Sequence, residues 1–98
     1  MSELQSEALM LYLGKAITPY PRRDPQRLVD RYGSLRAADL VSYCERILEE
    51  LYDSKPDWTT DDLAKATARA VSAVSRRHPE LSEEAIASLG WSYSWDWK

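Results

Sequence analysis

Few residues in this chain have the type and spacing to do chemistry. His78 is the only histidine and Cys44 the only cysteine among 98 residues. A zinc site needs three or four His, Cys or carboxylate ligands converging on one point, and no His pair or His–Cys cluster can be assembled here. A nucleophilic cysteine needs an electropositive, partly exposed setting with a base beside it. Cys44 instead falls on an apolar stripe and is expected to be a core thiol. His78 stands just before Pro79 at a predicted helix end, where it is expected to cap the helix dipole or be solvated. Gly14, Gly33 and Gly90 are isolated, so none of the usual glycine-rich phosphate cradles is present. The carboxylate pairs Glu49-Glu50 and Asp61-Asp62 are neighbours in sequence. On a helix such neighbours point about 100° apart and do not make an acid/base pair. The expectation is a non-catalytic chain with no cofactor and no metal.

Three groups of residues could instead recognise a partner. The first is the C-terminal run GWSYSWDWK, in which Trp91, Tyr93, Trp95 and Trp97 alternate with small or polar residues. Every aromatic ring in the chain carries a polar atom: six Tyr, four Trp, no Phe. Such rings suit places that are dry on one side and wet on the other, and they are enriched at interfaces. The second group is basic. Between Lys15 and Arg36 six cations (Lys15, Arg22, Arg23, Arg27, Arg31, Arg36) face two acids (Asp24, Asp30), a net +4. The remainder of the chain then carries −7 of the overall −3. Arg23, Arg27 and Arg31 step by four, as if lining one helix face. The third group is acidic: Glu45, Glu49, Glu50 and Asp53 crowd the end of a predicted helix. That is the wrong end of the dipole for carboxylates, and the four-residue spacings add like-charge repulsion. Either the arginine stripe folds against this acidic end within one molecule, or the two pair across a dimer, or one of them binds a partner.

The elements that must position these groups read as five helices, about 2–17, 25–32, 35–52, 60–77 and 83–94. The first opens on a Ser2–Gln5 capping box and is expected to stop ahead of Pro19 and Pro21. It is apolar on most sides, which predicts a central place. In the second, Asp24 is the N-cap, Pro25 takes the first helical position, and Gly33 fits a left-handed stop. Leu40, Val41, Cys44, Ile47, Leu48 and Leu51 hold the helical period through the third. Thr59 with Asp62 reads as a capping box for the fourth, whose small residues (Ala64, Ala66, Ala68, Ala70, Ala73) let a neighbour approach closely. It ends in Arg76, Arg77 and His78. In the fifth, Leu81 before the cap and Ile86 within the helix form a hydrophobic staple.

The aromatic run can be read two ways. As a strand, all four rings share one face. As a helix, Leu89, Tyr93 and Trp97 share one side while Trp91 and Trp95 share the other. No other segment reads as a strand to pair with it, so the helix is favoured through at least Tyr93, with the last residues extended or frayed. Either the rings close the open end of the bundle and are simply core, or two or three lie on the surface as an interface patch. The functional reading rests on the second, that a bundle of this size has no room for all of them.

Length and composition set the remaining bounds. Ninety-eight residues make one domain. The expected fold is an all-α compact bundle of four to five helices, with the first and third at the centre. A single cysteine excludes an internal disulfide and fits a reducing compartment. The longest apolar run, Ala8 to Leu13, is too short to cross a bilayer, and the acidic start lacks a signal peptide's positive region. The reading is a cytoplasmic, bacterial protein. It is expected to be a protein-interaction module that self-associates, as a homodimer, or binds another protein. The immunity- and antitoxin-like inhibitors of enzymes are compatible with a small acidic helical chain. The alternative is a small DNA-binding or transcription-modulating helix-turn-helix-like module using the basic stripe from Arg22 to Arg36, because RLVDRYGSLRAADLVSY places a glycine turn between two helices. Only Arg36 there suits base reading, Asp39 repels phosphate, and the acidic balance disfavours nucleic acid.

Overall fold

A computed structural model describes residues 3–15 and 17–96. The protein is all-helical: α1 Glu3–Leu13, α2 Pro25–Tyr32, α3 Ser34–Asp53, α4 Leu63–Arg77 and α5 Glu83–Asp96. No helix among the described residues is long and apolar enough to cross a membrane.

Two helix ends differ from expectation, and each has a local cause. α1 stops at Leu13 rather than near Ile17. Gly14 takes a left-handed φ of 86°, its N–H donates to the Leu11 carbonyl (3.1 Å), and the Lys15 N–H reaches back to Met10 (3.1 Å). These two bonds close a Schellman motif, so the glycine ends the helix before the prolines are reached. Ser2, the expected cap, lies outside the described residues. α4 begins at Leu63, three residues later than expected. Asp62 is its N-cap and accepts from the Lys65 N–H at 2.8 Å. Thr59 is no cap: its hydroxyl and N–H both donate to Asp57 Oδ1, at 2.6 and 3.1 Å, within a turn that precedes the helix.

The other termini follow the sequence apart from two details: α5 stays helical to Asp96, past the expected 94, and Gly33 stops α2 without the left-handed helical geometry expected of it. Asp24 accepts from the Gln26 N–H at 3.0 Å. Gly33 has a positive φ of 87°, with ψ at 157°, extended rather than left-handed helical. It links two helices single-handedly: its N–H closes α2 on Val29 and its carbonyl accepts the Ala37 N–H of α3. Ser82 caps α5 by accepting from Ala85 at 3.2 Å, and its own N–H donates to Ser6 Oγ of α1 at 2.9 Å. Leu81 is buried and Ile86 packs on the same core.

Cross-chain contacts give the helix directions. Ser6 meets Ser82, Lys15 lies over Trp91, and Tyr20 meets Trp95. The numbers rise together, so α1 and α5 run the same way. Tyr43 meets Glu80 and Tyr52 meets Ser92, so α3 shares that sense. α2 runs back, with Arg31 beside Glu7 while the Asp24 N–H reaches the Tyr12 carbonyl. α4 also runs back, with Arg77 beside Glu50 while Arg69 reaches the Lys55 carbonyl.

The core is therefore a triad of co-directional helices. α2 covers the α1–α3 seam and α4 covers the α3–α5 seam. Among the described residues no helix covers the α1–α5 seam. α3 touches every other helix and is the true centre. α1, expected to share that place, leaves Met10 and Leu11 only half-buried. Leu9, Leu13, Leu28, Ile47, Leu48, Leu51, Val74, Leu89 and Tyr93 fill the interior.

Candidate protein-interaction surface

The three co-directional helices end together, and none has a basic residue in its last turn. Their terminal carbonyls and dipoles concentrate negative potential at one end of the bundle. The link and α2 answer it from outside. Arg27 Nη1 donates to the carbonyls of Leu11 (3.1 Å), Tyr12 (3.3 Å) and Arg22 (2.9 Å), and its side chain is only 16% exposed. Lys15 Nζ stands 5.1 Å from the Trp91 ring of α5. Arg23 donates to Glu45 at 2.9 Å and lies 5.8 Å over the Tyr52 ring of α3.

The expected basic stripe is thus not a stripe. Arg23 precedes α2, Arg27 turns inward as a cap for α1, and Arg31 pairs with Glu7 at 3.2 Å. Arg22 is exposed on the link. The acidic group divides in the same way. Glu45 takes Arg23 and the Tyr12 hydroxyl, and burial with that hydrogen bond raises the Tyr12 phenol. Glu50 takes Arg77 at 3.4 Å and His78 at 3.0 Å, so its partners come from α4 and not from the arginines of 22–36. Glu49 and Asp53 line a shallow cleft of about 290 Å³ with Arg23, Tyr52 and Lys55, and make no ion pair among the described residues.

α5 stays helical through Asp96, which distributes the rings around it. Tyr93 is fully buried, stacks on Tyr52 (5.8 Å between centroids), and donates to the Ser54 carbonyl at 2.6 Å. It is core. Ser92, small enough to admit Tyr52, shares a 2.7 Å hydrogen bond with it. Trp91 is half-buried under Lys15. Trp95 is 42% exposed and lies 6.1 Å from Tyr20, itself 44% exposed. Trp97 lies outside the described residues. The exposed apolar surface at this end therefore joins the last turn of α5 to the α1–α2 link, where Ile17 is 56% exposed. Neither Tyr20 nor Ile17 belongs to the three groups of candidate residues read from the sequence. Their signal was an aromatic between two prolines, and an isoleucine with no helical stripe to join.

Through Ile17 this surface runs on into a cleft of about 490 Å³ beside the α1–α5 seam, lined mostly by α1 and reached by Ser82 and Glu84 at the start of α5 and by Arg31 of α2. Met10, Leu11 and Ile17 make its apolar part. Glu3 and Glu84 stand at one end, and Lys15 stands at the other. Glu7, on the wall, is held by Arg31 and by the Tyr32 hydroxyl. Burial and that hydrogen bond push the Tyr32 phenol up to about 12.

The residues first considered for chemistry are engaged otherwise. Burial pushes the Cys44 thiol up to about 12, so it stays protonated and unreactive in the core. His78 ends α4, its N–H donating to the Val74 carbonyl. Its ring is bracketed by Glu50 on Nε2 (3.0 Å) and Glu80 on Nδ1 (3.1 Å), so it is neither simply solvated nor only a dipole cap. Glu80 also accepts from the Tyr43 hydroxyl at 2.7 Å. Burial works to raise the Glu80 carboxyl, but the Tyr43 hydroxyl, its own N–H and His78 together hold it below the usual range. The group works as a clasp joining α3, α4 and the turn before α5. Among the described residues no cluster of His, Cys, Asp and Glu is arranged to hold a metal. Comparison of the chain with known protein families, curated proteins and solved structures finds no match.

Proposed function

We propose that this protein is a non-catalytic interaction module. Its recognition surface is the aromatic end, Tyr20 and Trp95 with Ile17 and Trp91, continuous with the α1–α5 cleft. The observation that carries the reading is that large apolar side chains from two separate segments meet and stay open at one place. Contiguous apolar surface rimmed by charge is the usual mark of a protein contact. Self-association and binding of another protein both fall within the reading. The duplex-DNA alternative has less support, because Arg23, Arg27 and Arg31 are engaged inside the molecule.

The test compares the full chain with a Tyr20→Ser/Trp95→Ser variant as immobilised bait in extract of the native host. Circular dichroism establishes that both are folded. A protein held by the first and lost by the second supports the reading, as does self-association that the variant abolishes. An unchanged set of captured proteins, with no self-association, overturns it. Retardation of random duplex at low salt, lost when Arg22 and Arg36 are replaced by Gln, would favour the DNA alternative.

A further inference from the structure

The α1–α5 seam is singled out by the architecture. The triad α1, α3, α5 has three seams, and two are covered by helices that run back against it. Among the described residues only the third has no helix over it, and the cleft of about 490 Å³ opens beside it: α1 lines most of its length, Glu84 with the cap Ser82 joins from the start of α5, and Arg31, paired with Glu7, stands at the end of α2. On α1 the lining runs from Glu3 to Leu11, about 12 Å at helical rise, and the turn at Gly14 carries it on to Lys15 and Ile17. Its apolar floor is Met10, Leu11 and Ile17, all outside the sealed core.

The charges set a direction. Glu3 and Glu84 mark the end where α1 and α5 begin, and neither makes an ion pair among the described residues. Lys15 marks the end where α1 stops. A helix lying antiparallel to α1 and α5 would bring its first turn to Lys15 and its last turn to Glu3 and Glu84. Helices favour acids in the first turn and bases in the last, so an ordinary helix in that direction matches the cleft at both ends. The covering helices share this polarity: α2 follows Asp24 and ends with Arg31, and α4 follows Asp62 and ends with Arg76 and Arg77.

We propose that the open α1–α5 seam takes an amphipathic helix of a partner protein, antiparallel to α1 and α5. Its apolar stripe lies on Met10, Leu11 and Ile17, its acidic first turn meets Lys15, and its basic last turn meets Glu3 and Glu84. This is helix-in-groove recognition. It rests on the interaction-module reading and adds the chemistry of the partner.

The experiment uses the full chain labelled at the methionine methyls. There are two methionines, and a Met10→Leu variant assigns the Met10 signal. The probe is a designed four-turn helix with leucines at i, i+3, i+4 and i+7 spacing, glutamates in its first turn and lysines in its last. A second probe has those charges exchanged. The expected result is a shift of the Met10 methyl with the first probe and binding about two- to fivefold weaker with the second, the range of an exposed ion pair. Lys15→Glu should remove that preference. A Met10 methyl that moves with neither probe overturns the proposal, and so does equal affinity for both. A Met10 shift that grows with protein concentration and no probe would mean a second copy fills the seam, which also overturns it. Any of these outcomes leaves the Tyr20/Trp95 capture result standing, so the two failures are told apart.

Discussion

The two ends of the bundle solve the same electrostatic problem differently. At one end α2 and α4 finish, and each brings its own cations: Arg31 in one, Arg76 and Arg77 in the other. At the opposite end α1, α3 and α5 finish with none. There the neutralising groups arrive from elsewhere in the chain, through Arg27 on the α1 carbonyls and through Arg23 and Lys15 over rings of α3 and α5. The acids at the end of α3 therefore break the dipole rule only when that helix is read alone. The compensation lies more than twenty residues away in sequence, between Arg23 and Glu45. A broken local rule is a reason to look for function only after the folded neighbours have been counted.

The contrast is broken most severely from the aromatic end. Tyr93→Ala removes a fully buried ring, its stacking on Tyr52 and its hydrogen bond to Ser54. The expected loss is about 3–5 kcal/mol, the usual cost of truncating a buried aromatic, measured by denaturant unfolding. A loss below about 1 kcal/mol would show that this end is not held by ring packing.

Gly14→Ala probes the cation on the α1 carbonyls. Its φ of 86° disfavours a side chain, and an added Cβ would stand 2.7 Å from Arg27 Nη1 and 2.8 Å from Thr18 Oγ1. Backbone strain of about 1–2 kcal/mol combines with a displaced guanidinium, so about 2–3 kcal/mol should be lost. In an Arg27→Met background the same substitution should cost less, because the clash with the guanidinium is gone and only that with Thr18 remains. Equal cost in both backgrounds would mean that Arg27 does not sit on the α1 terminus.

At the clasp end the bonds are polar and partly wet, and the expected effects are smaller. His78→Ala should cost about 1 kcal/mol, the net value of a typical hydrogen bond. Glu80 adds a pH signature. Its carboxyl titrates below the ordinary value of 4.5 in the folded protein. Its contribution is complete above about pH 4.5 and is lost as pH falls through the lower folded value. Glu80→Gln should therefore destabilise the protein at pH 7 and flatten the acid limb of its stability curve. An unchanged acid limb would remove Glu80 from the clasp.

How much of this was legible in the sequence follows from the range of each cause. α2 and α3 were readable because Asp24, Pro25, Gly33 and an unbroken apolar period act over a few residues. The end of α1 is not legible locally, because Gly14 can stop a helix or sit inside one, and the choice depends on Arg27 and Thr18 arriving beside it. Thr59 and Asp62 had the spacing of a capping box, yet Asp57 captured the threonine first. At the candidate surface, the alternation of Trp91, Tyr93 and Trp95 showed that rings were gathered. It did not show that Tyr93 turns inward, nor that Tyr20 would join Trp95 from the other side of the chain. Those facts depend on the parallel course of α1 and α5, and no local pattern encodes it.

Gly90 sharpens the comparison in the stabilising direction. It sits inside α5 with helical geometry, and a Cβ there would meet Thr67 and Val71 of α4 at an ordinary 3.7 Å. Gly90→Ala should add about 0.5–1 kcal/mol, since glycine carries that penalty in a helix interior. The same substitution thus has opposite signs at Gly14 and Gly90. A loss at Gly90 would mean that α4 and α5 pack more tightly than these distances imply.

The smallest expected effect belongs to Leu35, in the first turn of α3 at the end of the bundle opposite the aromatic surface. It is 91% exposed, the most open large apolar residue among those described. Leucine and glutamine have similar helix propensities, and little contact is lost, so Leu35→Gln should change stability by less than about 0.5 kcal/mol. Isolated surface leucines of this kind need no partner, whereas the apolar residues at the other end form one continuous patch. Unfolding should be followed at two protein concentrations tenfold apart. A stability loss that appears only at the higher concentration would mean that a second molecule covers Leu35, and the contrast between a lone exposed residue and a recognition surface would then fail.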